Sequence, residues 1–444
     1  MNKVLPLMIA GALSAGGLVE IAHGADLLAV YRDALAYDAQ YASARAALDA
    51  GREKLPQGRA GLLPTVGLTG NTTWNDVDTT RRVTGATAVN TQYNNNGWTA
   101  SLSQPLFRWQ NWVAYNQSEL AVAQAEAQFG LARQELIVRA AQAYFDVLLA
   151  HDTLAVAQAQ KVAIAEQLES AKRNFEVGTA TITDTHEAQA RYDLTSAQEI
   201  AAQNDLSVKR QALRAVIGKE PEGLKNLRPG VQLTRPQPDD INKWVEMAES
   251  ASASVQIYQA LYEIAQREIE KQRAGHLPTL DLVASRGRSS ATNSTTLGVG
   301  FDSNQSTIGL QLSLPIFSGG ATVSKDREAV ALKEKAASDL ENARRTAALN
   351  ARQAYLGVNS GLAQVVAYQA ALTSSQSALD SNKLGYEVGV RINIDVLNAQ
   401  SQLFDTRQKL AKARLDTLAA LLKLKAAAGT LGEDDVAAIN ALLE

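Results

Sequence analysis

Ile308-Gly-Leu-Gln-Leu-Ser-Leu314 alternates without exception. Ile308, Leu310, Leu312 and Leu314 fall on one side of an extended chain, and Gly309, Gln311 and Ser313 on the other. Successive side chains of a strand point to opposite faces, so one face is apolar and the other small and polar. Membrane barrel strands carry this pattern, because one face meets lipid and the other a wet interior. Working outward, Leu280, Leu282 and Ala284 begin a partner strand. Further back, Val66, Leu68, Gly70, Thr72 and Trp74 alternate with small polar residues, and so do Trp98, Ala100 and Leu102. The pattern predicts four strands, at 64–75, 97–106, 279–288 and 306–316. Each is about the 9–11 residues that cross a bilayer when tilted. Trp74 and Trp98 mark one end, and Phe107, Trp109 and Trp112 follow the other, as interfacial aromatic girdles do. The polar stretches Asp76–Asn96 and Gly287–Ser306 read as loops, expected outside the cell. A soluble hairpin packed on a core is the competing reading; the girdles and the long polar loops count against it.

The strands belong to a larger repetition. Arg59-Ala-Gly-Leu-Leu-Pro-Thr65 returns as Arg273-Ala-Gly-His-Leu-Pro-Thr279, and Gln104-Pro-Leu-Phe107 as Leu314-Pro-Ile-Phe317. Phe175-Glu-Val-Gly178 returns as Tyr386-Glu-Val-Gly389, with Asp184 echoed by Asp395. A period of this length marks a duplicated half-chain, not a solenoid. The expected organisation is a first repeat at 25–220, a linker at 221–240, a second repeat at 241–430 and a C-terminal segment at 431–444. Each repeat runs helix, strand, loop, strand, long helix, turn, return helix. The long helices, expected at 108–177 and 321–388, hold strong helix formers and would each span about 100 Å. Runs of that length imply coiled-coil packing. The opening helices (Asp26–Gly61, Ile241–Ala274) and the return helices (184–217, 394–427) are half as long, so two laid end to end match one long helix. Asp184-x-x-Glu187 reads as a capping box at the start of the first return helix.

Composition narrows the function. Residues 1–24 resemble a secretory signal, with Lys3 before an apolar run and a small-residue site at Ala22-His-Gly24. The chain has no Cys, and His151, His186 and His276 are scattered, so no metal set is expected. A net charge of −3 carries no nucleic-acid signature. No nucleotide loop or nucleophile elbow is present, so neither an enzyme nor a cofactor is expected.

An unpaired strand edge in lipid is prohibitive, and the smallest outer-membrane barrels have eight strands. Four strands must therefore be completed by other copies: two copies give eight strands, three give twelve and an aqueous lumen. A surface-anchored coiled-coil stalk remains the alternative. It explains helices and strands, though not why strands are inserted twice between helices.

At Gly275-His-Leu-Pro-Thr-Leu-Asp-Leu282, Leu314-Pro-Ile-Phe-Ser-Gly-Gly320, Tyr386-x-Val-Gly-x-Arg391 and Gly429-Thr-Leu-Gly432 the chain resembles the TolC family of outer-membrane exit ducts. The resemblance covers nearly the whole length after residue 24. It implies a homotrimer with a twelve-stranded barrel above an α-helical periplasmic tunnel, and export by drug efflux or type I secretion. It implies docking to a periplasmic adaptor and an inner-membrane RND, ABC or MFS transporter. By the same resemblance, Val177, Gly178, Val388 and Gly389 would be adaptor-docking tips. Tyr386 and Arg391 match gate residues, with Asp184 as their acidic partner on the neighbouring hairpin. Asp395 matches the first acidic residue of a pore constriction. Asn398 stands where the family has a second Asp, which leaves one ring of carboxylates instead of two. Taken by themselves, Asp184 and Asp395 follow turns at helix starts, where Asp serves equally as a cap or first-turn residue.

Overall fold

The computed structural model describes residues 25–221 and 223–444, so the signal segment expected at 1–24 lies outside the described residues. The alternating stretches form β1 (Thr65–Thr79), β2 (Val89–Phe107), β3 (Thr279–Ala291) and β4 (Phe301–Ser313). They make one antiparallel sheet in the order β1-β2-β3-β4, so the β2–β3 pairing joins the two halves of the chain. Register aligns the apolar positions: Val66 opposes Leu102, Leu102 opposes Ala284, and Ala284 opposes Ile308. On the other face, Gly67, Ser101, Ser285 and Thr307 form a row, and Thr69, Thr99, Gly287 and Gln305 the next. β1 and β4 are the edges, and every residue of β4 is exposed.

At their loop ends the strands outrun the expected ones, so the two loops shrink to 80–88 and 292–300, while β4 stops at Ser313, short of the expected 316, ahead of Pro315. Asn, Thr and Asp there describe water on both faces, not a break in the ladder. The side chains bridge strands instead: Asn90 donates to Asp76 at 2.7 Å and Asp78 at 2.8 Å, and Asn94 donates to the Thr72 hydroxyl at 3.0 Å.

The helices are α1 (Leu27–Tyr37), α2 (Ala39–Arg52), α3 (Lys54–Ala60), α4 (Trp109–Glu176), α5 (Ile182–Ile217), α6 (Ile241–Ala251), α7 (Ala253–Arg273), α8 (Ala321–Glu387), α9 (Asn393–Ala427) and α10 (Glu433–Asn440). Where one opening helix was expected in each half, the chain breaks. Asp38 ends α1 and accepts the Tyr41 amide at 2.7 Å as the cap of α2; Ser252 stands between α6 and α7. At Asp38 capping competes with helix continuation, because Asp bonds a free amide better than it fills a helix interior; the Ser252 hydroxyl instead pairs with that of Ser254 at 2.8 Å.

α4, of 68 residues, spans about 100 Å. Near the strands α4 lies between α2–α3 and α7, with α8 beyond. Toward the far end the order is α5, α4, α9, α8. Short helices thus succeed one another along the long ones. Among the described residues, no helix is long and apolar enough to cross a membrane.

The largest core lies midway, where Val30 and Tyr31 of α1 meet Tyr144 and Phe145 of α4, Leu213 of α5, Leu422 of α9 and Val436 of α10. The segment between the halves packs here too, with Leu224 and Leu227 against this core and the Tyr144 hydroxyl donating to the Lys225 carbonyl at 2.7 Å. Sheet and helices are fastened by Arg108, which bonds Asp281 through two nitrogens at 2.8 and 2.6 Å, a bidentate fork.

Asp38 is buried and also receives the Arg139 guanidinium at 2.7 Å. Asp38→Ala is expected to remove a cap and orphan a half-buried charge, costing about 2–3 kcal/mol. The thermal midpoint of detergent-solubilised protein should fall, with partial recovery in Asp38→Asn, which keeps the cap acceptor. An unchanged midpoint in the Ala variant would show that the break in the helix is not held by this residue.

Candidate functional site: the hairpin tips

Both long helices stop in the same way. At the end of α4 the Gly178 amide donates to the Phe175 carbonyl (3.0 Å) and the Thr179 amide to Asn174 (2.8 Å). At the end of α8 the Gly389 amide donates to Tyr386 (3.1 Å) and the Val390 amide to Gly385 (2.9 Å). These paired bonds define a Schellman stop, which needs a left-handed residue at its corner. Gly178 at φ +77° and Gly389 at φ +79° supply it. The turns therefore reverse the chain tightly and push Val177 and Val388 outward, 72% and 65% exposed.

Past the turn, Thr181 caps α5. Its hydroxyl accepts the Asp184 amide at 3.3 Å, and the Asp184 carboxylate accepts the Thr181 amide at 2.9 Å and hydroxyl at 2.8 Å. The box is thus Thr181 with Asp184, one turn earlier than the expected Asp184–Glu187. The helix begins at Ile182, and Thr outcompetes Asp for the cap because Asp184 then closes the reciprocal bond. Asp395 lies in the first turn of α9, where the helix dipole favours a negative charge.

Within one chain, Arg391 faces Asp395 at 3.7 Å, while the carboxylate of Asp184 is occupied by Thr181. Tyr386 is joined to the first hairpin through its hydroxyl, which accepts from Asn174 at 3.0 Å. Asn398 accepts from the Arg191 guanidinium at 3.0 Å. Asn393, only 1% exposed, accepts from Gln167 and donates to the Asp184 carbonyl at 3.3 Å. Asn174, Arg191, Gln167 and Asn393 thus stitch the two hairpins together, and none stood out in the sequence. The one available signal was Asn393 between Ile392 and Ile394: a polar residue within an apolar stretch. The apolar contacts here are small: Ile164, Leu168 and Ala171 of α4 with Ala188 of α5 and Leu397 of α9, and Leu379 with Val396 and Leu403 in the second hairpin. Higher up the first hairpin, Lys161 donates to Glu199 at 2.8 Å and holds that carboxylate below its usual range.

The sheet face bearing Ser101, Thr99, Ser285, Thr307 and Gln305 is largely polar, with one charged residue, Asp281, held by Arg108 at the helix end, and it suits water and passing solute. Its opposite face carries Val66, Leu68, Ile308, Leu310 and Leu312, all strongly exposed and suited to lipid. Strands for a bilayer, a wet inner face and helices about 100 Å long fit an outer-membrane channel that continues into the periplasm. The outer membrane efflux protein model matches residues 30–219 and again 244–430, and the chain belongs to that family. It is 35% identical to outer membrane protein TolC of Escherichia coli strain K12 over 451 residues, covering 99% of this chain and 89% of the relative. It is 33% identical to the alkaline protease secretion protein AprF of Pseudomonas aeruginosa, covering 96% and 88%. The fold matches the Campylobacter jejuni CmeC outer membrane channel with a TM-score of 0.78 at 17% identity, covering 100% of this chain and 97% of that one.

Asn393→Ala is expected to leave Gln167 without its partner and to cut the tie to Asp184, a local loss of about 1–3 kcal/mol. Hydrogen exchange at residues 174–184 and 386–396 should speed up while the midway core stays protected. Equal protection at the tips in variant and parent would remove Asn393 from the stitching.

Proposed function

We propose that three copies of this chain close into one duct: a twelve-stranded barrel in the outer membrane with a ring of helical hairpins beneath it. One observation carries this reading. The sheet ends in free edges β1 and β4, and the helical layer ends in α8 on one side and in α2–α3 followed by α5 on the other, with exposed apolar residues on α5 and α8. On α5 these include Leu194, Ile200 and Val208, and on α8 Leu332, Leu349, Leu356 and Val366. Each layer has one edge to offer and one to receive, so the same rotation closes both. A stalk would not require the two layers to close together.

The duct passively carries small molecules or unfolded proteins delivered by an inner-membrane RND, ABC or MFS transporter. A periplasmic adaptor engages the Val177–Gly178 and Val388–Gly389 tips and opens the closed end. Membership of the outer membrane efflux protein family and the similarity to a protease secretion protein support both cargo classes. In the closed ring, Arg391 and Tyr386 of one hairpin meet the Asp184 turn of its neighbour, and Asp395 gives a single acidic ring. With Asn398 engaged by Arg191, that ring stands without a second carboxylate above it. Partly exposed ion pairs contribute about 0–1 kcal/mol each, so three copies hold a gate that an adaptor can overcome.

Arg391→Ser combined with Tyr386→Phe is expected to raise single-channel conductance in planar bilayers severalfold with the assembly intact. Asp395→Asn should lower cation selectivity at similar conductance. A double variant that stays assembled and conducts like the parent would place the gate elsewhere.

A further inference from the structure

The outward face of the sheet is not apolar to its top. The row Val66, Leu102, Ala284, Ile308 is followed by Leu68, Ala100, Arg286, Ser306, and then by Gly70, Trp98, Arg288, Asn304. Directly opposed residues share a face, so Arg286 and Arg288 project on the same side as Leu280, Leu282 and Ala284. Both are exposed. β3 is an inner strand, so the face they occupy stays open when neighbouring copies pair with β1 and β4.

Height within the membrane gives these arginines their meaning. From Ser313 to Asn304 the strand rises about 30 Å, or about 23 Å vertically at a tilt near 40°, close to the height of an outer-membrane apolar band. The Arg288 row is therefore the upper boundary, and Trp98 in that row is the side chain expected there. Arg286 starts one row lower, about 5 Å inside, a distance that an arginine spans by extending toward the interface. A lipid-facing arginine is costly at mid-bilayer and nearly free of cost near the surface. Arg288 has one carboxylate nearby, Asp302 at 3.4 Å. Arg286 lies between Ala100 and Ser306, with no carboxylate partner among the described residues.

We propose that Arg286 and Arg288 form a headgroup site for a phosphorylated glycolipid in the membrane leaflet at the 80–88 and 292–300 end of the barrel. Guanidinium groups bind phosphate through paired N–H donors, and Trp98 packs beside them where headgroup meets acyl chain. The lipid source is favoured over free phosphate because both side chains leave from the lipid-facing surface. The proposal rests on the barrel reading above.

The test uses the full detergent-solubilised protein and native mass spectrometry. Diphosphorylated lipid A, the same lipid without phosphates, and inorganic phosphate serve as probes. The parent should bind diphosphorylated lipid A at least tenfold more tightly than the dephosphorylated form. Arg286→Gln with Arg288→Gln should lose that preference, and Arg286→Lys with Arg288→Lys should keep most of it. Parallel conductance of the Gln variant should match the parent, which separates failure of this site from failure of the duct. An unchanged preference in the Gln variant would overturn the proposal. So would full displacement of the lipid by millimolar inorganic phosphate, which would make the pair a simple anion site.

Discussion

The backbone of β4 governs the rest of this structure. In hydrocarbon each unsatisfied N–H or C=O costs several kcal/mol, and β4 and β1 each turn one side of their ladder to nothing within the chain. That debt is far larger than any single contact elsewhere in the molecule, so the sheet cannot remain in lipid as one copy. Because Arg108 and Asp281 tie the sheet to the start of α4, closing the strands also brings helix edges together. In the proposed three-copy ring the exposed leucines of α5 and α8 would be buried by the same event.

Against the closure proposed for the strands, the tips are built lightly. Their apolar clusters hold only a few residues each, and the ties between hairpins are single hydrogen bonds from amide and guanidinium groups. A net bond of this kind stabilises by about 0.5–1.5 kcal/mol, within reach of a binding partner. The midway core, with Tyr144, Phe145, Leu213 and Leu422, is more extensive and anchors the hairpins above the tips. Stability thus decreases from the strands to the Gly178 and Gly389 turns, which suits a duct closed at one end.

Sequence alternation identified the apolar rows because lipid imposes them residue by residue, as at Ile308, Leu310 and Leu312. It failed at the upper strand ends, since Asn90, Asn94 and Asp76 stand in water on both faces and resemble loop residues while still pairing. The Gly178 and Gly389 turns were legible because a left-handed corner demands glycine. Asn393, Asn174 and Arg191 were not, because their partners lie about 200 residues away and only the packing of two hairpins unites them. Asp184 was found for its position after a turn, yet its carboxylate serves Thr181 within the chain. A local cap and a contact to a neighbouring copy leave the same trace in one sequence.

The mass of the assembled particle tests the central claim most directly. Light scattering with detergent correction should give three chains, the number at which four strands per chain make twelve and leave a wet lumen. A single chain, or a particle of any other multiple, would contradict closure by three open-edged copies.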